Sequence, residues 1–173
     1  TQTASSSASI SFTSGIDSTY KEYIFYFVNM HPASQNPNFA FNLSIDSGSN
    51  YNVSKTTTYF RTQHGESGSG AELGYETGLD LANGTSIQKI SKEAGNDNDQ
   101  GVSGHFHLFN PSSTTFVKHF ICQTNNNFKY SEPYAYSNYI AGYGNTTSAV
   151  DAIQFSFSSG NIDSGQILLF GLN

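Results

Sequence analysis

His105-Phe106-His107 places two imidazoles two residues apart. On a β-strand, residues i and i+2 project from one face about 6–7 Å apart, close enough for both rings to reach one metal ion. No third ligand lies at motif distance. A metal here would need distant residues or symmetry mates; three such pairs meeting on a three-fold axis would supply six nitrogens. The plainer expectation is two rings on a polar face or at a subunit contact. Gly95-Asn96-Asp97-Asn98-Asp99-Gln100-Gly101 alternates Asp97 and Asp99, hard oxygen ligands of the kind calcium takes. The EF-hand spacing and its closing bidentate Glu are missing, so a solvated turn is the better reading.

A third candidate is the tyrosine-rich run Tyr130-Ser131-Glu132-Pro133-Tyr134-Ala135-Tyr136-Ser137-Asn138-Tyr139. Alternation puts Tyr134, Tyr136 and Asn138 on one strand face. Tyrosine combines a rigid apolar ring with a hydrogen-bonding tip, which suits a sugar platform or a protein interface. The plainer expectation is a sandwich face packed on its own loops. The loops of residues 61–100 offer an alternative sugar platform. Cys122 is the only cysteine, so no disulfide forms within the chain. Its nearest candidate base, His119, is three residues away and on the opposite strand face, so a buried structural thiol is expected. The 13 carboxylates show no spacing that singles out an acid–base pair. Nucleophile-elbow, His-Glu-x-x-His and phosphate-loop motifs are missing, and the expectation is a protein that is not an enzyme and uses no cofactor.

These residues must be positioned by strands. The chain has 173 residues, of which 12% are charged and 14% aromatic, with Phe 14, Tyr 11 and Trp 0. The charged share is about half the usual ~25%, while the aromatics suffice to build a core. A net charge of -6 with scattered lysines and a single Arg61 argues against a nucleic-acid surface. No apolar run approaches the ~18 residues of a membrane helix, and membrane insertion is not expected. Phe39-Ala40-Phe41-Asn42-Leu43-Ser44-Ile45 and Ala152-Ile153-Gln154-Phe155-Ser156-Phe157 alternate cleanly, as half-buried strands do. Glu22–Val28 is apolar on both faces and reads as a central, doubly covered strand, and Gln166–Phe170 as a closing one. Ser9–Thr13, Tyr51–Phe60, Val102–Phe109, Thr115–Thr124 and Tyr134–Ala141 complete about ten strands. Gly-, Asn- and Ser-rich turns separate them at sandwich spacing. The predicted fold is all-β: one antiparallel β-sandwich over residues 9–173, a jelly roll, preceded by a flexible arm or linker at 1–8. Residues 61–100 read as a long loop or a short helix near Leu79–Leu81.

Several separated segments resemble a family of tailed-bacteriophage virion proteins, the tail-fibre and minor structural proteins. They are Ala8–Tyr20, Asp46–Tyr51, Asn110–Lys118, and Phe157–Gly165 running into Leu169-Phe170-Gly171-Leu172. Each is a strand–turn–strand phrase of low specificity, and their order extends over nearly the whole chain. The resemblance implies a capsid-decoration or fibre β-sandwich displayed on the virion surface, commonly a homotrimer. It would contact other virion proteins or the host surface, where a glycan is one candidate receptor. It brings no catalytic residues. A carbohydrate-binding, lectin-like module is the alternative function.

Overall fold

The computed structural model describes residues 1–130 and 132–173. Among them every regular element is a strand: β1 (Gln2–Ser7), β2 (Ile10–Phe12), β3 (Glu22–Pro32), β4 (Phe39–Ser44), β5 (Lys55–Gly65), β6 (Glu72–Tyr75), β7 (Gln88–Lys89), β8 (Val102–Phe109), β9 (Lys118–Lys129), β10 (Pro133–Gly144), β11 (Ala152–Phe157) and β12 (Ile162–Leu172). They form two antiparallel sheets, an eight-stranded one in the order β1-β12-β3-β8-β9-β10-β5-β6 and a four-stranded one in the order β2-β11-β4-β7. Strands β1-β12-β3-β8 facing β2-β11-β4-β7 are the two sheets of a jelly roll, since the chain crosses between these sheets at each step except β4 to β7, which pair within one sheet. The remaining four, β5–β6 inserted after β4 and β9–β10 inserted after β8, widen one sheet only. The strand count is thus twelve rather than about ten.

Between the facing sheets, the inward positions of each strand meet as one aromatic cluster. Phe106 lies 4.6 Å from Phe41, 5.4 Å from Phe120, 6.0 Å from Phe25 and 6.2 Å from Phe155, centroid to centroid. Most of these pairs are tilted or edge-to-face, the arrangements that ring quadrupoles favour.

The widened half has no second sheet above it. Its inner face is covered by the chain between β6 and β8, and that cover is largely polar. The Asn138 side chain accepts from the Tyr59 hydroxyl (2.8 Å) and donates to Asn126 (2.9 Å), which in turn donates to the Lys92 carbonyl (2.8 Å). Thr57 donates to Gln88 (2.7 Å), and Lys92 and Arg61 both bond Glu76. Burying polar groups is tolerated here because each finds a partner. Of the long loop or short helix expected over residues 61–100, the structure has the loop, interrupted by β6 and β7; Leu79 is a partly buried anchor on the core.

Two further expectations need correction. Residues 2–7 are not a free arm: β1 pairs with β12 along Gln2↔Ile167 to Ser7↔Ile162, and Ala4 is buried. Backbone hydrogen bonding to an open sheet edge holds a segment whose small side chains give little sign of it. β3 lies inside its sheet, as expected, but only one of its faces is fully covered: Tyr26 and Val28 remain exposed on the other.

Candidate functional site

The outer face of the eight-stranded sheet collects the outward residues of seven strands into rows. Across the strands, Leu168 pairs with Tyr26, Tyr26 with His105, His105 with Gln123, Gln123 with Tyr139, Tyr139 with Phe60, and Phe60 with Tyr75. The neighbouring row is Phe170, Ile24, His107, Ile121, Ala141 and Thr58. Much of this surface is apolar and open to solvent: Ile121 is 52% exposed, Phe170 48% and Phe60 43%. Phe60 and Tyr139 stack at 5.0 Å with planes 8° apart, forming a ridge. Beside it the small side chains of Ala141 and Thr58 leave a hollow of about 410 Å³ bounded by His119, Ile121 and Tyr143. It adjoins a second hollow of about 230 Å³ that reaches His105.

His105 and His107 come together on this face, with ring centroids 5.0 Å apart and nearly perpendicular. Burial, and then the neighbouring imidazole of His107, pulls the His105 pKa below the usual histidine value. His107 Nδ1 bonds the Glu22 carboxylate, which fixes its ring. Among the described residues no group of three or more His, Cys, Asp or Glu side chains converges as a metal site. The pair therefore offers at most two ring nitrogens of its own chain. Cys122 points inward, and burial pushes its thiol well above the ordinary range, so it holds its proton. His119 points outward from the same strand, as alternation requires.

The tyrosine platform does not form. Tyr134, Tyr136 and Asn138 do share a strand face, but it is the inner one. Tyr136 and Asn138 are buried, with Arg61 4.9 Å above the Tyr136 ring and Phe128 5.2 Å from it. Tyr134 lies against Phe128 on the same side. Burial raises the Tyr136 hydroxyl to about 12, leaving it a neutral internal group. Ser131 of this run lies outside the described residues. Alternation shows which residues share a face; it does not show which face is covered.

Asp97 and Asp99 lie on the loop before β8. The Asp97 carbonyl accepts from the Gln100 backbone N–H at 2.8 Å, closing a turn. The loop walls a polar hollow of about 610 Å³ at the far end of the outer sheet face, beyond the His105 row. Asn29, His31, Ser103, Asn125, Asn127 and Ser164 line its other sides. Strand periodicity gives no signal for this hollow, because it sits where β3 and β12 break register.

Compared with protein-family models, curated proteins and solved structures, the chain gives no match.

Proposed function

We propose that this chain is a non-enzymatic structural module that assembles with copies of itself through the outer face of its eight-stranded sheet. The observation that carries the reading is a local inversion of polarity. Where β5, β10 and β9 run side by side, Arg61, Asn138 and Thr124 point inward, while Phe60 and Tyr139 point to solvent. A strand that gives its inward positions to polar groups and its outward ones to aromatics is built to be covered on the outside.

With a third row beside these two, Leu172 and Glu22 at one end and His119, Tyr143 and Thr56 at the other, seven strands at ~4.8 Å and three rows at ~6.8 Å give a face of roughly 30 by 14 Å, or about 400 Å² in projection. That matches the buried centre of an interface in which each partner contributes ~800 Å². A second copy is the occupant because ridge and hollow lie side by side on one surface. The Phe60–Tyr139 ridge of one copy can enter the Ala141 hollow of another; a two-fold pair results where both copies use the patch mutually, and a ring where successive copies are related by a rotation that closes. Three copies is the number the phage-protein resemblance implies. The same resemblance supports a place on a fibre, tail tip or capsid surface, with other virion proteins and the host surface as partners.

The test is native mass by light scattering between 1 and 100 μM, with and without a metal chelator. A trimer that survives chelation supports the module as described. One that dissociates on chelation assigns His105 and His107 to an axial metal. A monomer throughout refutes self-assembly.

A further inference from the structure

The polar hollow at the bulged end of the sheet belongs to neither the core nor the apolar face, and its construction points to a ligand. Two of its side chains come from breaks in strand register. Asn29 lies in the irregularity between Phe27 and Met30 of β3, and Ser164 lies between two shifts in β12. Bulges of this kind re-aim side chains and are common beside binding sites. Asn29 adopts a left-handed backbone, φ 49. Gly165, at φ 128, passes so close that a Cβ there would sit 2.7 Å from the Asn29 carbonyl oxygen. The two strands are thus locked together at an unusual backbone geometry where the hollow opens.

The amides around it are held by one end. Asn29 Oδ1 accepts from the Ser103 hydroxyl at 3.3 Å, which leaves its NH2 without a partner among the described residues. Asn125 donates its NH2 to the Tyr136 carbonyl at 2.7 Å, which leaves its Oδ1 as an acceptor. Asn127 is spent on structure, accepting from the Gly101 N–H at 3.1 Å. Asp99 adds an exposed carboxylate and Ser164 a hydroxyl. Apart from His31, whose Nε2 lies 3.3 Å from the Asp97 carbonyl, the set is therefore one oriented donor, one oriented acceptor, an exposed carboxylate and a group that can be either.

We propose that this hollow binds a neutral saccharide unit, with Asn29, Asn125, Asp99 and Ser164 addressing its hydroxyls. A sugar hydroxyl donates and accepts at once, so it matches a mixed amide and carboxylate lining better than a phosphate or an ammonium group does. The volume, about 610 Å³, has room for one or two sugar rings. Asp99 discriminates against acidic sugars by like-charge repulsion.

The full chain is screened on a printed array of neutral and acidic glycans, and the strongest neutral hit is titrated as its methyl glycoside by amide NMR. The expected result is binding of a neutral glycan with shifts at Gly101, Ser103 and Asn125. Asn29→Gly, which keeps the left-handed backbone, and Asp99→Ala, at an exposed loop position, should each weaken it at least tenfold. Failure of every neutral glycan to bind overturns the proposal. So does binding that survives both substitutions, or shifts confined to the Phe60–Tyr139 region.

Discussion

Ile121→Asp is the sharpest perturbation of the proposed assembly face. Ile121 sits at the middle of the second row, between His107 and Ala141, and borders both apolar hollows. With 52% of its surface still exposed, covering it in an oligomer buries about half of the side chain. At ~1.5–3 kcal/mol for complete burial, that half is worth roughly 1 kcal/mol per contact. An unpaired carboxylate forced into the same place adds a desolvation cost of about 2 kcal/mol or more. Together they weaken each contact by about 3 kcal/mol, roughly 150-fold. Sedimentation equilibrium over 1 to 100 μM reads this directly, with a thermal melt to verify that the variant is folded. Ile121→Val keeps the β-branched backbone preference and removes only apolar area, so its contacts should weaken by less than ~10-fold. Association of Ile121→Asp as strong as that of the natural chain would refute the assignment of this face.

Three further outcomes follow from the packing. Phe106→Ala empties the centre of the aromatic cluster and should lower unfolding stability by about 3–5 kcal/mol in a urea titration, with the fold retained; a loss below ~1 kcal/mol would mean that the two sheets close over the gap. Burial lowers the fully enclosed Lys55 amine from 10.5 to about 8. The unfolded chain then binds more protons between those values, so stability rises with pH, by about 2 kcal/mol from pH 7 to 9.5; Lys55→Met should flatten that rise, and an unchanged slope counts against the buried amine as its source. The depressed pKa of His105 has the same sign in a lower window. Its contribution is complete above the unfolded value near 6.5 and lost as pH falls through the folded one. Melting temperatures from pH 7.5 to 5.5 should therefore fall less in His105→Asn than in the natural chain, and equal slopes would reject this role.

What could be read in the sequence depended on side chains large enough to mark a face. β8 was legible to its ends because Val102, Phe106 and Leu108 alternate with smaller or polar residues, and β4 and β11 were legible for the same reason. β1 was not: its six residues are Gln, Thr, Ala and Ser, and what orders them is the backbone of β12. β6 and β7, four and two residues long, are too short for periodicity to register. The histidine pair was placed correctly on one face, since spacing alone decides that.

The tyrosine run shows the opposite case and leads back to function. Alternation groups Tyr134, Tyr136 and Asn138 on one face, and of the two settings that grouping allows, a face packed on its own loops and an open platform, the structure has the packed one. In this half of the sheet the wet chemistry is inside. The chain between β6 and β8 supplies backbone carbonyls and Glu76, so inward positions could accept Asn126, Asn138 and Arg61. The outward positions did not then become polar in compensation; they carry Phe60, Tyr139 and Ile121. At Phe60 and Tyr139 this reverses the usual half-wet pattern, since their inward neighbours include Arg61 and Asn138; at Ile121 it does not, since Phe120 and Cys122 beside it fill the core. That local inversion is the observation on which the proposed self-assembly rests, and a partner on the outer face would account for it.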